Sequence, residues 1–292
     1  MTDAAQTPHP DPFGARLRRV VAARGPLCVG IDPHPALLTA WGVGDDPAGL
    51  DRFAGTVVDA LADRVAVLKP QSAFFERFGS RGVAVLERTV ADARSAGALV
   101  LLDVKRGDIG STMAAYAAAY LTPGAPLFAD AVTLSPYLGF ESLRPAFDAA
   151  RAAGAGVFVL ARTSNPEGAQ TQEATTRDGV PLGRLMLERL AAENAGAVPL
   201  GSCGAVVGAT LDAAAAAALG SALELNGPLL APGLGAQGAA ADDLPRIFGG
   251  ALRNVLPSFS REVLRHGPDP AGLRAAAARE GDAVARILDV ND

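Results

Sequence analysis

The chain alternates between two kinds of segment. Short apolar runs recur eight times, at residues 27–32, 65–69, 98–105, 127–134, 156–162, 204–209, 228–232 and 253–258. Helical patterns lie between them, over 51–62, 82–95, 109–121, 141–153, 182–194, 211–220 and 242–248, and an amphipathic stretch at 270–289 closes the chain. Apolar runs this short, without polar alternation, read as strands buried on both faces. Such strands separated by helices require a parallel sheet with helical crossovers. Eight units within 292 residues predict a single-domain (β/α)8 barrel, of the TIM type, over 13–292. A doubly wound sheet is the alternative, but no Gly-x-Gly-x-x-Gly follows the first run. Residues 1–12 are polar and Pro-rich, with no basic segment leading into an apolar one, and read as a flexible tail.

Composition removes several classes. A hydrophobic content of 49% and a mean hydropathy of +0.22 supply ample core. No apolar run reaches the length of about 18 residues that a membrane span needs. A net charge of −5 argues against nucleic acid, which wants a basic stripe. A small anion still fits if positive charge is focused locally. The cysteines, Cys28 and Cys203, lie too far apart to suggest a disulfide framework or a metal site. Cys28, inside an apolar run, is expected in the core. A cytoplasmic enzyme without a bound metal is the expectation.

In a barrel of this kind, chemistry sits where the strands end. The third run ends Asp103-Val-Lys105-Arg-Gly-Asp108. Asp103 and Lys105 stand at i and i+2, so strand alternation points both to one side. Gly107 breaks the strand, and Asp108 lies on the turn beyond. Of 26 Lys and Arg residues only Lys69 and Lys105 are lysine, and both end an apolar run. Arginine holds its proton near neutral pH, whereas a lysine can give one up. A structural ion pair would also place such residues at a strand end. The other ends offer Asp32, Thr163, Ser164, the segment Pro232-Gly-Leu-Gly-Ala-Gln-Gly238, and Ser260-Arg261. Glycines at the seventh end let backbone N–H groups approach an anion, and Arg261 offers a bidentate fork. A Gly-rich turn beside a surface arginine would read the same way. His9 falls in the tail, His34 in a turn, His266 at a helix end, and Glu76 and Arg77 on a solvated helix face. Residues 163–181 form a long polar loop of the sort used as a lid or binding loop.

These residues together resemble the orotidine 5′-phosphate decarboxylase family, in its longer-loop bacterial group. Asp103-Val-Lys105-Arg-Gly-Asp108 is similar to its D-x-K-x-x-D signature. Gly30-Ile-Asp32-Pro and Lys69-Pro-Gln-Ser-Ala-Phe-Phe-Glu76 resemble its first two strand ends. Thr163-Ser-Asn-Pro-Glu-Gly168 and Ala231-Pro-Gly-Leu-Gly-Ala-Gln-Gly238 resemble its pyrimidine and phosphate loops. The match covers most of the chain. It departs at the eighth strand, where Phe259-Ser-Arg261 replaces the more usual Gly-Arg.

The resemblance implies a cofactor-free, metal-free homodimer that decarboxylates orotidine 5′-monophosphate to UMP in pyrimidine biosynthesis. It implies Lys105 as proton donor to C6, Asp103 beside the substrate carboxylate, and Lys69 completing the row. Asp108 and Thr112 would enter the neighbouring subunit's site. Asp32 would bind ribose, Ser164 the pyrimidine, and Pro232, Gln237 and Arg261 would line the phosphate end. A Mg²⁺-dependent relative acting on keto-sugar phosphates would want a carboxylate where Lys69 stands. A non-catalytic phosphate-sensing barrel would not need two lysines flanking an aspartate.

Overall fold

The computed structural model describes residues 11–235 and 238–288. Eight parallel strands close into a barrel in chain order: β1 (Cys28–Ile31), β2 (Val67–Pro70), β3 (Leu99–Arg106), β4 (Ala131–Leu134), β5 (Gly156–Arg162), β6 (Cys203–Val207), β7 (Leu229–Ala231) and β8 (Val255–Phe259). β1 pairs with β8, which leaves no free edge. Helices cover the outside, as the alternating pattern requires. The sequence expectation of a single (β/α)8 barrel therefore holds.

The barrel interior is built in layers, and this is what positions the site. Side chains two apart on a strand share a face. Leu99 and Leu101, Val67, Ala131, Phe158 and Leu256 belong to one buried apolar cluster in the lower barrel. One step further along the same faces come Asp103, Lys69, Thr133, Leu160 and Ser258, all lining a single cavity. The polar layer thus rests on an apolar plug. The helix Phe13–Arg24 closes the bottom. Its Phe13 meets Phe158 edge-on at 5.9 Å between centroids, and Arg16 reaches Asp130 at 2.6 Å. Burying an aromatic pair of this size contributes several kcal/mol, at about 1.5–3 kcal/mol per side chain.

Three expectations shift. That closing helix has no counterpart among the expected elements. β4 begins at Ala131 and not at 127, because the Phe128 and Ala129 N–H groups turn back to the Ala125 (2.9 Å) and Tyr120 (3.1 Å) carbonyls; the Asp130 carboxylate accepts from the Val100 N–H (3.0 Å), Arg16 (2.6 Å) and Arg94 (3.3 Å). β8 starts at Val255, since Gly249–Asn254 is a 3-10 turn. Residues 1–10 of the expected tail lie outside the described residues, as do Gln237 and Asp289, the last residue of the amphipathic stretch expected at 270–289. Asp11 is tied to the first helix through Arg19 at 2.7 Å. No described helix is long and apolar enough to cross a membrane. Cys28 is buried, as expected, and burial pushes its thiol up to about 12. Cys203 is likewise pushed up to about 12 by burial.

Candidate active site

The cavity at the C-terminal mouth of the barrel has a volume of about 360 Å³. Its wall includes Asp32, Lys69, Asp103, Lys105, Ser164, Pro232 and Arg261. At its floor Asp103 lies between the two lysines. Lys69 Nζ donates to Asp103 Oδ2 at 3.0 Å, and Lys105 Nζ donates to Asp103 Oδ1 at 2.5 Å. The Lys69 and Asp103 side chains are each 7% exposed, and Lys105 is 44% exposed. The inner pair is therefore fixed in the barrel, while the outer ammonium faces the opening.

Burial opposes both inner charges, and the opposite charges facing them overcome it. Desolvation alone would raise the Asp103 carboxyl. Lys69, Lys105 and the hydrogen bonds from Lys105 and Thr133 instead hold it well below the usual carboxylate range. Desolvation alone would lower Lys69, but Asp103, with Asp32 behind it, holds the ammonium above its ordinary value. Both groups stay ionised near neutral pH. Asp32 Oδ1 and Ser260 Oγ are buried with no hydrogen-bond partner. Both residues line the cavity. Unpaired buried acceptors are costly, and at a cavity wall they are poised for a ligand's hydroxyl groups.

Two loops frame the row. After β2, the short helix Ser72–Glu76 places Glu76, and Arg106 at the end of β3 reaches it at 2.5 Å. Arg106 also donates to Tyr120 Oη (3.3 Å) and the Val104 carbonyl (3.2 Å). Glu76 is thus no idle member of a solvated face, because it ties the Lys69 loop to the Lys105 loop. Arg77 is exposed, pairs with Asp45 and lies over Phe78. Residues 163–181, expected as a long polar loop, carry local structure. They hold the 3-10 turn Pro166–Gly168, the helical turn Ala169–Gln172 and a bridge between Thr175 and Pro181. Gln172 Oε1 accepts from the Thr163 N–H at 2.9 Å, and Arg162 pairs with Glu173 at 2.5 Å. These anchors fix the segment that carries Ser164.

Asp108 and Thr112 stand apart from the cavity wall. Asp108 Oδ1 accepts from its own neighbour's N–H, that of Ile109, at 2.7 Å. Thr112 is exposed in the helix Gly110–Leu121. Gly107 allows no side chain, since a Cβ there would run into the Ser135 carbonyl oxygen. Of the arginines near the eighth strand, Arg261 lines the cavity, whereas Arg265 turns to Glu262 at 2.8 Å. His34 lines the cavity too, edge-on to Phe74 with ring centroids 4.2 Å apart.

Sequence reading missed Thr133, Gln172 and the Glu76–Arg106 link. Thr133 left a trace, as the one polar residue in the buried run Ala131-Val-Thr-Leu134. The others depend on contacts between distant segments.

Paired lysines around a buried carboxylate are expensive to fold, and a (β/α)8 barrel that carries them at its mouth is organised as an enzyme for a small anionic substrate. Residues 25–276 match the pattern of the Orotidine 5′-phosphate decarboxylase / HUMPS family. An orotidine 5′-phosphate decarboxylase of Streptomyces coelicolor is 68% identical over 269 residues, covering 92% of this chain and 95% of that one. One from Salinispora tropica is 65% identical over 268 residues, covering 91% and 95%. A solved structure from Streptomyces avermitilis is 61% identical, with a TM-score of 0.92, covering 99% of this chain and 100% of that one. The chain belongs to the orotidine 5′-phosphate decarboxylase family, and by that kinship it is a carboxy-lyase.

Proposed function

We propose that the protein converts orotidine 5′-monophosphate to UMP and CO₂ in pyrimidine biosynthesis, without metal or organic cofactor. The observation that carries the reading is the Lys69–Asp103–Lys105 row, two ammonium groups on one buried carboxylate at the mouth of the barrel. When the bond between C6 and the carboxylate breaks, its electron pair stays on C6. No conjugated sink accepts it, so the site must stabilise that charge electrostatically. Lys105, the exposed end of the row, stands against C6 and delivers its Nζ proton there, regaining one from water. Asp103 sets a like charge beside the leaving carboxylate and holds Lys105 in place. Lys69 fixes Asp103 from below and reaches toward ribose.

Asp32 accepts from a ribose hydroxyl, which gives its unpaired oxygen a partner. Ser164 meets the pyrimidine edge. Pro232 and Arg261, with Gln237, hold the phosphate, and that remote grip contributes to the chemical step. Support for the metal-free route is positive: the place beside Asp103 is filled by two cations, which would repel a metal ion.

The active unit is a homodimer in this reading. Asp108 and Thr112, which are not part of their own cavity's wall, serve the neighbour's. The adjoining turns carry exposed apolar side chains, with Ile109 61%, Tyr137 80% and Leu138 54% exposed, which suits a second copy of the chain. The test of the reaction is a spectrophotometric assay with orotidine 5′-monophosphate in EDTA. Turnover is expected to survive chelation. Turnover that vanishes with chelator and returns with Mg²⁺ would overturn the metal-free route.

A further inference from the structure

We propose that Thr133 is a positioning residue for the reaction: its hydroxyl clasps the β3 bulge that aims Lys105 and, at the same time, fixes the Asp103 carboxylate. The kinetic side of this inference rests on the decarboxylase reading above.

The geometry starts in the β3–β4 ladder. Leu101 pairs with Ala131 and Leu102 with Val132, and pairing resumes only at Arg106 with Leu134. Asp103, Val104 and Lys105 therefore oppose the single residue Thr133. A bulge of this kind re-aims side chains beside active sites, but it takes backbone N–H groups off the ladder. Those of Val104 and Lys105 go to Thr133 Oγ1, at 3.0 and 2.9 Å. The same oxygen donates its proton to Asp103 Oδ1 at 2.8 Å. Thr133 is 1% exposed, so water is no ready substitute.

A hydroxyl has one proton to give and two lone pairs to offer. All three are used. Thr133 lines the cavity, yet its oxygen has nothing left for a substrate, and it acts through Asp103 and Lys105. Lys105 shows what is being held. Its φ of +46° lies in the left-handed region, uncommon for a residue with a side chain. Such a conformation persists where the surroundings over-determine it. Here the backbone is held by the Thr133 oxygen and the side chain by Asp103, which Thr133 also orients. One hydroxyl thus sets both the donor and its partner.

The test is a set of substitutions read by three measurements. Thr133→Val keeps the shape and removes the hydroxyl, and Thr133→Ser keeps the hydroxyl and removes the methyl. A misplacement of the reacting groups on the order of 1 Å costs about a hundredfold in rate, so Thr133→Val should lower kcat by about that factor. Thr133→Ser should stay within about threefold of the parent, and both should bind UMP within about threefold of it, because removed transition-state contacts act on kcat and not on product affinity. Amide hydrogen exchange at Val104 and Lys105 should speed up in Thr133→Val and not in Thr133→Ser.

Equal impairment by Ser and Val would assign the effect to packing and overturn the proposal. So would a Val variant that keeps most of its kcat, or UMP affinity that falls in step with kcat. If the Val variant fails to fold, Thr133→Ala against Thr133→Ser gives the same contrast, since that pair differs by the hydroxyl alone. Absence of decarboxylation by the parent protein would strike the functional reading instead. The exchange contrast at Val104 and Lys105 would then still decide the clasp.

Discussion

Asp103→Asn removes the carboxylate that both lysines share, and the structure sets the size of the result. Lys69 and Asp103 are each 7% exposed and 3.0 Å apart. Deleting one partner of a buried pair leaves the other charge uncompensated, at a cost of about 3–5 kcal/mol. The lower end applies here. Asp32 still acts on Lys69, and Lys105, 44% exposed, can turn to water. A loss of about 3 kcal/mol corresponds to a fall in Tm of roughly 5 °C for a domain this large.

The pH dependence follows from the sign of the Asp103 shift. Its folded-state pKa is depressed, so its contribution is present above the ordinary carboxylate value near about 3.9 and is lost as pH falls through the lower folded value. The stability gap between the parent and Asp103→Asn should therefore be constant from about pH 5 to 7 and close only in stronger acid. Lys69→Met should cost less, because Asp103 keeps Lys105 and Thr133. The double variant Lys69→Met/Asp103→Asn should recover part of the loss of Asp103→Asn. Thermal and urea unfolding across pH measure all three. An Asn variant as stable as the parent, or a gap that narrows between about pH 7 and 5, would refute the charge argument.

Two further outcomes are expected. Arg261→Ala should lower kcat/KM by about tenfold to a hundredfold, the worth of charge-assisted phosphate contacts, and lower UMP affinity by less; unchanged kinetics would move the phosphate contact to another residue. Mixing inactive Lys105→Ala and Asp108→Ala subunits under exchange should restore up to about a quarter of parental activity, since half of randomly mixed dimers are hybrid and each hybrid has one intact site. If Asp108 serves its own subunit, every hybrid site keeps a lesion and no activity returns.

The barrel was legible because burial on both faces and the strand–helix alternation are local properties of the sequence. The lysines of the row were legible because a chain that otherwise uses arginine keeps lysine at two strand ends; the strand alternation expected to point Asp103 and Lys105 to one side is broken by a bulge, and Lys105 meets Asp103 from a left-handed backbone. What escaped depends on contacts across the fold. The Thr133 clasp exists only once β3 and β4 pair out of register. The Glu76–Arg106 link joins two loops 30 residues apart. β4 is shorter than its apolar run because the Ala129 N–H turns back to the Tyr120 carbonyl of the preceding helix. The helix Phe13–Arg24 buries only one narrow face, including Phe13 and Leu17, and the arginines spread along it conceal that.

The central claim is that Lys105 supplies the proton that replaces CO₂. The most direct measurement compares the parent with Lys105→Arg in turnover of orotidine 5′-monophosphate, with UMP affinity determined on the same preparations. Guanidinium keeps the charge but not the transferable proton. The account predicts a loss of about a thousandfold or more in kcat with UMP affinity little changed. An Arg variant that retains a tenth of the parental rate would contradict it.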